Sequence, residues 1–190
     1  MPTANKEALD FLLSRRSRPA KTLGLPIPNR DEVERILTAA ARTPDHGKLE
    51  PWRFIVMGKD KLTSLIPLVD ERAAALGHDA EKTQKGKNQF IDGQLAIAVI
   101  EVQKPSDKIP AIEQTYSAGA VCLALLNAAL ASGWGANWLS GWPSHDRGFV
   151  EQGLGLSDTE RVAGIIYLGT ESATPPDRPR PDLKKIVTWL

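Results

Sequence analysis

The 190-residue sequence predicts one domain that combines helices with a small set of strands. Three features carry that expectation. Runs rich in aromatic and β-branched residues at Trp52 to Met57, Gln94 to Val102 and Arg161 to Gly169 have strand length. Amphipathic stretches with helical spacing lie before and between them. A long Ala/Leu-rich stretch from Ile112 to Ser132, apolar on most sides, suits a helix buried in the core or along a subunit interface.

From Lys6 to Arg16, Ala8, Leu9, Leu12 and Leu13 fall at helical spacing, so the chain opens with an amphipathic helix ending in basic residues. Pro19, Pro26 and Pro28 interrupt the next segment. Asn29 or Asp31 then caps a helix with Val33, Ile36, Leu37 and Ala40 as its apolar stripe. It ends before Pro44, because a residue preceding proline is pushed out of helical space. After the first strand, which stops at Gly58, Asp60 is placed to cap the next helix, and Lys61 to Phe90 reads as one or two exposed helices. The nearly continuous apolar run of Gln94 to Val102 suits a strand buried on both faces, hence the central one.

Gly133 breaks the long helix, and the residues up to Trp138 read as a short strand or loop. Asp146 to Glu151 fits a further short helix. Beyond the third strand, Pro175, Pro176, Pro179 and Pro181 alternate with Asp177, Arg178 and Arg180 before apolar periodicity returns from Leu183 to Leu190. Such a stretch, about residues 171–190, has little core of its own and is expected to pack on another surface as an arm.

Composition narrows the function classes. At 42% hydrophobic and 25% charged, the chain is unlike a disordered one. Its 24 basic and 23 acidic residues leave a formal net charge of +1, with no global field to favour nucleic acid or an anionic membrane. The apolar stretches are short or broken by small residues, and Glu7 and Asp10 lie near the start, so a cytoplasmic protein without membrane contact is expected. Cys122 is the single cysteine, which excludes an internal disulfide, and its apolar neighbours make it a buried small hydrophobe.

Two segments hold the candidate chemistry. Arg15-Arg16-Ser17 closes the first helix, and guanidinium groups beside a hydroxyl suit a phosphate or a polarised ring. Arg42, His46 and Lys48 follow in a turn built around Pro44, just before the first strand. Each has a blander reading, as basic residues at the negative end of a helix dipole or as a solvated histidine in a turn. No Ser-His-Asp arrangement is compelling with only His46, His78 and His145 available, no cluster has zinc-ligand spacing, and no catalytic side chain stands out. Neither a phosphate-cradling Gly-x-x-x-x-Gly-Lys run nor a Gly-x-Gly-x-x-Gly turn occurs. In Asn137-Trp138-Leu139-Ser140-Gly141, small residues let backbone N–H groups approach a flat ring.

Taken together, Arg15-Arg16-Ser17, Ala41 to His46, Glu50 to Phe54, Gly135 to Gly141 and Tyr167 to Thr170 resemble, in order and spacing, the FMN-dependent nitroreductases, and most closely the YdjA-like subgroup. The resemblance covers nearly the whole chain. It implies an α+β fold with a central mixed sheet wrapped by helices, assembled as an intertwined homodimer with FMN at the subunit interface. By this similarity Arg15, Arg16 and Ser17 bind FMN in one subunit, Arg42 and His46 reach it from the other, and Trp138, Leu139, Ser140 and Gly141 offer contacts from their loop. Lys48 falls at a position used for the ribityl chain, and Arg180, with Arg178, at one used for phosphate. Two departures stand out. Pro19 replaces a basic residue of larger relatives, and Leu139 stands where the subgroup often has Arg.

The implied function is an oxidoreductase in which NADH or NADPH reduces FMN and a nitroaromatic, quinone or similar small oxidant then takes its place. Flavin N5 carries the chemistry, which accounts for the missing acid–base triad. A guanidinium from Arg15 or Arg16 favours the anionic reduced ring, and an amide near Ser140 or Gly141 tunes N5. The same residues also suit a protein that stores, senses or fragments flavin without turning over NAD(P)H. A helical scaffold built around the Pro-rich tail is the third reading, and it requires no cofactor.

Overall fold

The computed structural model describes residues 3–190. In chain order the elements are α1 (Lys6–Ser14), β1 (Leu23–Gly24), α2 (Arg30–Ala40), β2 (Trp52–Gly58), α3 (Lys59–Ser64), α4 (Ile66–Ala75), α5 (Ala80–Asp92) and β3 (Leu95–Val102). There follow α6 (Ala111–Ala131), β4 (Gly135–Leu139), α7 (Arg147–Leu154), β5 (Glu160–Glu171) and α8 (Leu183–Ile186). The strands form one sheet in the order β1-β5-β3-β2, with β4 also paired to β5. The fold is α+β. Its pairings are all antiparallel, which corrects the expected mixed sheet as far as this chain's own strands are concerned.

Strand β3 is central, as its unbroken apolar run requires, and its side chains alternate between two cores. Ala96, Ala98 and Ile100 join Ile165 and Tyr167 of β5 under α3, α4, α5 and α7, where Leu62, Val69, Phe90 and Phe149 are buried. Leu95, Ile97 and Val99 join Ile166 and Leu168 on the opposite face, under α2 and α6, with Ile36, Val121, Cys122 and Leu125. Across β3, Arg53 of β2 donates to both carboxylate oxygens of Glu160 on β5, at 2.6 and 2.9 Å.

Helix boundaries follow local chemistry. Asn29 caps α2 in a capping box, accepting from Glu32 N while the Glu32 carboxylate accepts from Asn29 N. Asp60 does not cap α3, since Gly58 occupies that position and Asp60 lies in the first turn. Residues 61–90 hold more structure than their polar tract suggests: α4 and α5 follow the end of α3 and bury Val69, Ala73, Gln89 and Phe90.

By length and composition α6 could cross a membrane, yet one side of it lines the second core. Its other side leaves Ile112, Tyr116 and Leu123 exposed. Helix α1 buries nothing, and Leu9, Leu12 and Leu13 are exposed, as are Leu183, Ile186 and Trp189 of the C-terminal segment. Three apolar faces on one chain exceed the scattered exposed leucines of ordinary surfaces.

Candidate functional site

Beyond α1 the backbone extends through Arg15, Arg16, Ser17 and Arg18, all half-buried. Two hydrogen bonds fasten this segment to β4: Arg18 N to Ala136 O at 2.8 Å, and Asn137 Nδ2 to Arg18 O at 2.9 Å. Arg15 Nη2 donates to Ser17 Oγ at 3.0 Å, and Arg16 Nη1 to the Ser17 carbonyl at 3.3 Å. Arg16 Nε also meets Pro176 O at 3.4 Å, so the Pro-rich arm lies against the segment. Burial lowers the Arg15 pKa, and the charges of Arg180, Arg16 and Arg18 lower it further.

Four guanidinium groups therefore share one place. Arg18 is paired with Glu171 at 2.7 Å and Arg180 with Asp177 at 3.3 Å. Among the described residues neither Arg15 nor Arg16 has a carboxylate, and Arg15 Nε is buried without any hydrogen-bond partner. A buried donor left unpaired among like charges is costly, and an anion with several acceptor oxygens is what relieves it. The structure thus brings together Arg15, Arg16, Ser17 and Arg180 from the two ends of the chain. Arg178 contributes only a backbone contact to Asp177.

The expected ring-binding loop is shorter than the sequence suggested. Trp138 and Leu139 belong to β4, paired with Ile166 and Ile165. The Trp138 indole lies on Gly164, where any side chain would collide with it, and is 37% exposed. Leu139 packs against the core under α5 and α7. Its side chain is therefore committed to packing, and only Ser140 and Gly141 lie in the loop. The Gly141 carbonyl accepts from Ser144 N at 3.0 Å, while its N–H has no acceptor among the described residues. The rise of β4 sets the loop roughly 13 Å from the strand's contact with Arg18. A recess of about 540 Å³ opens just beyond, lined in part by Ser144, His145 and Arg161.

The second group lies elsewhere. His46 Nδ1 stands 2.6 Å from Glu113 Oε2 at the start of α6, in an open cleft with Pro44, Tyr116 and Ser117. Arg42 lines the adjoining groove with Leu123 and Asn127, whose Oδ1 is buried without a partner. Lys48 is exposed and holds φ at 56°, next to Gly47 at 72°, and Glu50 follows at 48°. Left-handed backbone at two non-glycine residues is strain of the kind that concentrates in functional loops. A hydrogen bond from Glu50 N to Asp45 Oδ2 at 2.7 Å braces it. Within one chain, no hydrogen bond or ion pair joins Arg42, His46 or Lys48 to the Arg15 cluster among the described residues.

The nitroreductase family model matches residues 14–170, a span that runs from the arginine cluster through β5. The chain belongs to the nitroreductase family. It is 32% identical over 164 residues to the Escherichia coli K12 protein named "Putative NAD(P)H nitroreductase YdjA", an alignment covering 86% of this chain and 88% of that one. Among solved structures, the nitroreductase-like family protein from Bacillus cereus superposes with a TM-score of 0.79 at 21% identity, covering 100% of this chain and 98% of that chain. An FMN-dependent nitroreductase from Clostridium difficile R20291 gives 0.69 at 21% identity, covering 95% and 98% respectively. These structures share the nitroreductase fold with this chain.

Sequence reasoning about this nitroreductase missed Arg18, Glu113 and Gln89. Arg18 directly follows the recognised motif and signals its role only by that adjacency. Glu113 and Gln89 meet their partners 67 and 78 positions away, through packing that no local pattern encodes.

Proposed function

We propose that this nitroreductase is an FMN-dependent NAD(P)H oxidoreductase working as a homodimer, with one FMN at each of two shared sites. The observation that carries this reading is the unpartnered, buried Arg15 Nε among three other guanidinium groups. Arg15, Arg16, Ser17 and Arg180 hold the negative charge of FMN, and the half-buried Gly141 of the loop presents the ring with an unpaired amide. When bound, FMN supplies hydride acceptance and donation at N5. The chain's part is to orient the ring and leave one open face for the nicotinamide and the oxidant to occupy in turn.

The dimer is supported by the exposed faces of α1, α6 and the C-terminal arm, a combined apolar surface of the sort that obligate dimers cover. In that assembly His46, Arg42 and Lys48 of one subunit serve the FMN held by Arg15 of the other, because within one chain the two groups do not meet. Spectra of the purified protein before and after added FMN test the cofactor. Anaerobic mixing with NADH or NADPH tests turnover: rapid bleaching of bound flavin is expected, and a yellow protein that neither nicotinamide bleaches would be a flavin-storing protein instead.

A further inference from the structure

The loop that follows β4 does not stand alone, because α5 clamps it from beneath. Trp142 lies directly on Gly86 of α5, where a side chain would collide with the indole, and its Nε1 donates to Lys82 O at 3.1 Å. The His78 ring meets the same indole edge-on at 4.8 Å. One residue earlier, a Cβ built on Gly141 would stand 2.9 Å from Nε2 of Gln89. The Gln89 amide is therefore seated against the Gly141 backbone.

Gln89 is an unusual residue to find there. It is 8% exposed, one of few buried polar side chains, and its amide is held at both ends. Nε2 donates to Gly86 O at 3.3 Å, and Oε1 accepts from the Tyr167 hydroxyl at 3.4 Å. Tyr167 is 1% exposed, and burial pushes its phenol pKa well above the ordinary value, so the hydroxyl stays a donor. The Tyr167 ring in turn fills the space beside Gly93, at the end of α5. Hydrogen bonds that fix a buried amide on both sides also fix whatever backbone rests on it.

We infer that Gln89, held by Tyr167, is the positioning residue that sets the Gly141 N–H toward flavin N5. The inference rests on the FMN reading above. Oxidised N5 accepts a hydrogen bond from an amide, whereas reduced N5 carries a proton of its own and gains nothing from that donor. A well-placed Gly141 amide therefore favours oxidised over reduced FMN. Loosening it raises the midpoint potential of the bound flavin.

The test uses the FMN-loaded protein with Gln89→Met, which keeps the length and removes the amide, and Tyr167→Phe, which removes only the hydroxyl. Thermal melting verifies that each is folded, and a redox titration followed by flavin absorbance reads the ratio of oxidised to reduced affinities. In Gln89→Met that ratio is expected to fall about tenfold, equivalent to a rise of about 30 mV in a two-electron potential. Tyr167→Phe is expected to move it in the same direction by less. Hydrogen exchange in the peptide covering 138–145 should quicken in both variants. A folded Gln89→Met protein with wild-type potential and wild-type exchange overturns the inference and leaves the FMN reading standing. If Gln89→Met does not fold, the same result in Tyr167→Phe overturns it. Wild-type protein that takes up no FMN defeats both readings together.

Discussion

Nδ1 of His46 lies 2.6 Å from Oε2 of Glu113, a pairing that ties the strained turn after α2 to the first turn of α6. A carboxylate only accepts, so Nδ1 carries the hydrogen and Nε2 is the nitrogen left for a ligand. If that ligand is held by Arg15 of a second copy, His46→Ala and Arg15→Ala should each weaken FMN binding by about tenfold, the worth of one good hydrogen bond. Mixing the two variants gives hybrid dimers in which one site carries both defects and the other carries neither. Flavin titration of the hybrids should recover one tight site per dimer. Two equally weak sites would mean that Arg15 and His46 of one and the same subunit serve one FMN, and would overturn the shared site.

The Arg53–Glu160 pair gives the fold a defined weakness in acid. Hydrogen bonds from Arg53 hold the Glu160 carboxyl down at about 2, below its usual 4.5. Asp146, bonded by Arg72, shifts in the same direction. A folded-state pKa below the unfolded one means that the stabilisation is complete above about pH 4.5 and is lost as pH falls towards 2. Because Arg53 is 40% exposed, the contribution of the pair is about 2 kcal/mol, less than the full shift implies. Melting curves should show Tm falling through that window, with a shallower fall in Glu160→Gln, which should also cost about 2 kcal/mol at neutral pH.

The main strands were legible from composition. The nearly unbroken apolar run of Leu95 to Val102 marks a central strand buried on both faces, and β5 and β2 share its β-branched signature, whereas the division of its side chains between two cores is seen only in the fold. The cap of α2 was legible only to a choice between Asn29 and Asp31, and the reciprocal bonds of the capping box decide it for Asn29. The arginine cluster was legible in two ways: Arg15 to Ser17 are contiguous, whereas Arg180 was implied only by the family resemblance and meets them once the Pro-rich arm folds back. The stretch up to Trp138 read as a short strand or loop because glycines surround it, and pairing with β5 makes it strand and carries the strand on to Leu139. Gln89 sits in a polar tract that reads as solvent-facing. Its burial is decided by Tyr167 and the Gly141 backbone, far away in the chain.

The uncovered face of α6 should behave as an interface. Tyr116 is 69% exposed in the single chain, with Ile112 and Leu123 also exposed on the same helix. Tyr116→Asp places a charge where a second copy would bury it, at a cost of several kcal/mol in the assembly and almost nothing in the isolated chain. Sedimentation velocity is expected to show a dimer for the wild type and a monomer for the variant, with FMN lost alongside. A wild-type monomer that retains FMN would remove the shared-site proposal.

The guanidinium cluster predicts a response of opposite sign with and without an anion. With nothing bound, Arg180 adds to the repulsion that lowers the Arg15 pKa, while its own pairing to Asp177 is a surface contact. Exposed pairs of this kind contribute between about 0 and 1 kcal/mol, so Arg180→Ala should leave the FMN-free protein unchanged in stability or up to about 0.5 kcal/mol more stable. Once a phosphate oxygen sits among the arginines, the same side chain becomes an attractive partner, and its loss should weaken binding by about fivefold, close to 1 kcal/mol. Thermal melts across a series of FMN concentrations separate the two effects, because the Arg180→Ala curve should start level with or above the wild type and fall below it as FMN is added. A curve that starts lower and stays parallel would mean that Arg180 is simply part of the folded arm and takes no share in holding the anion.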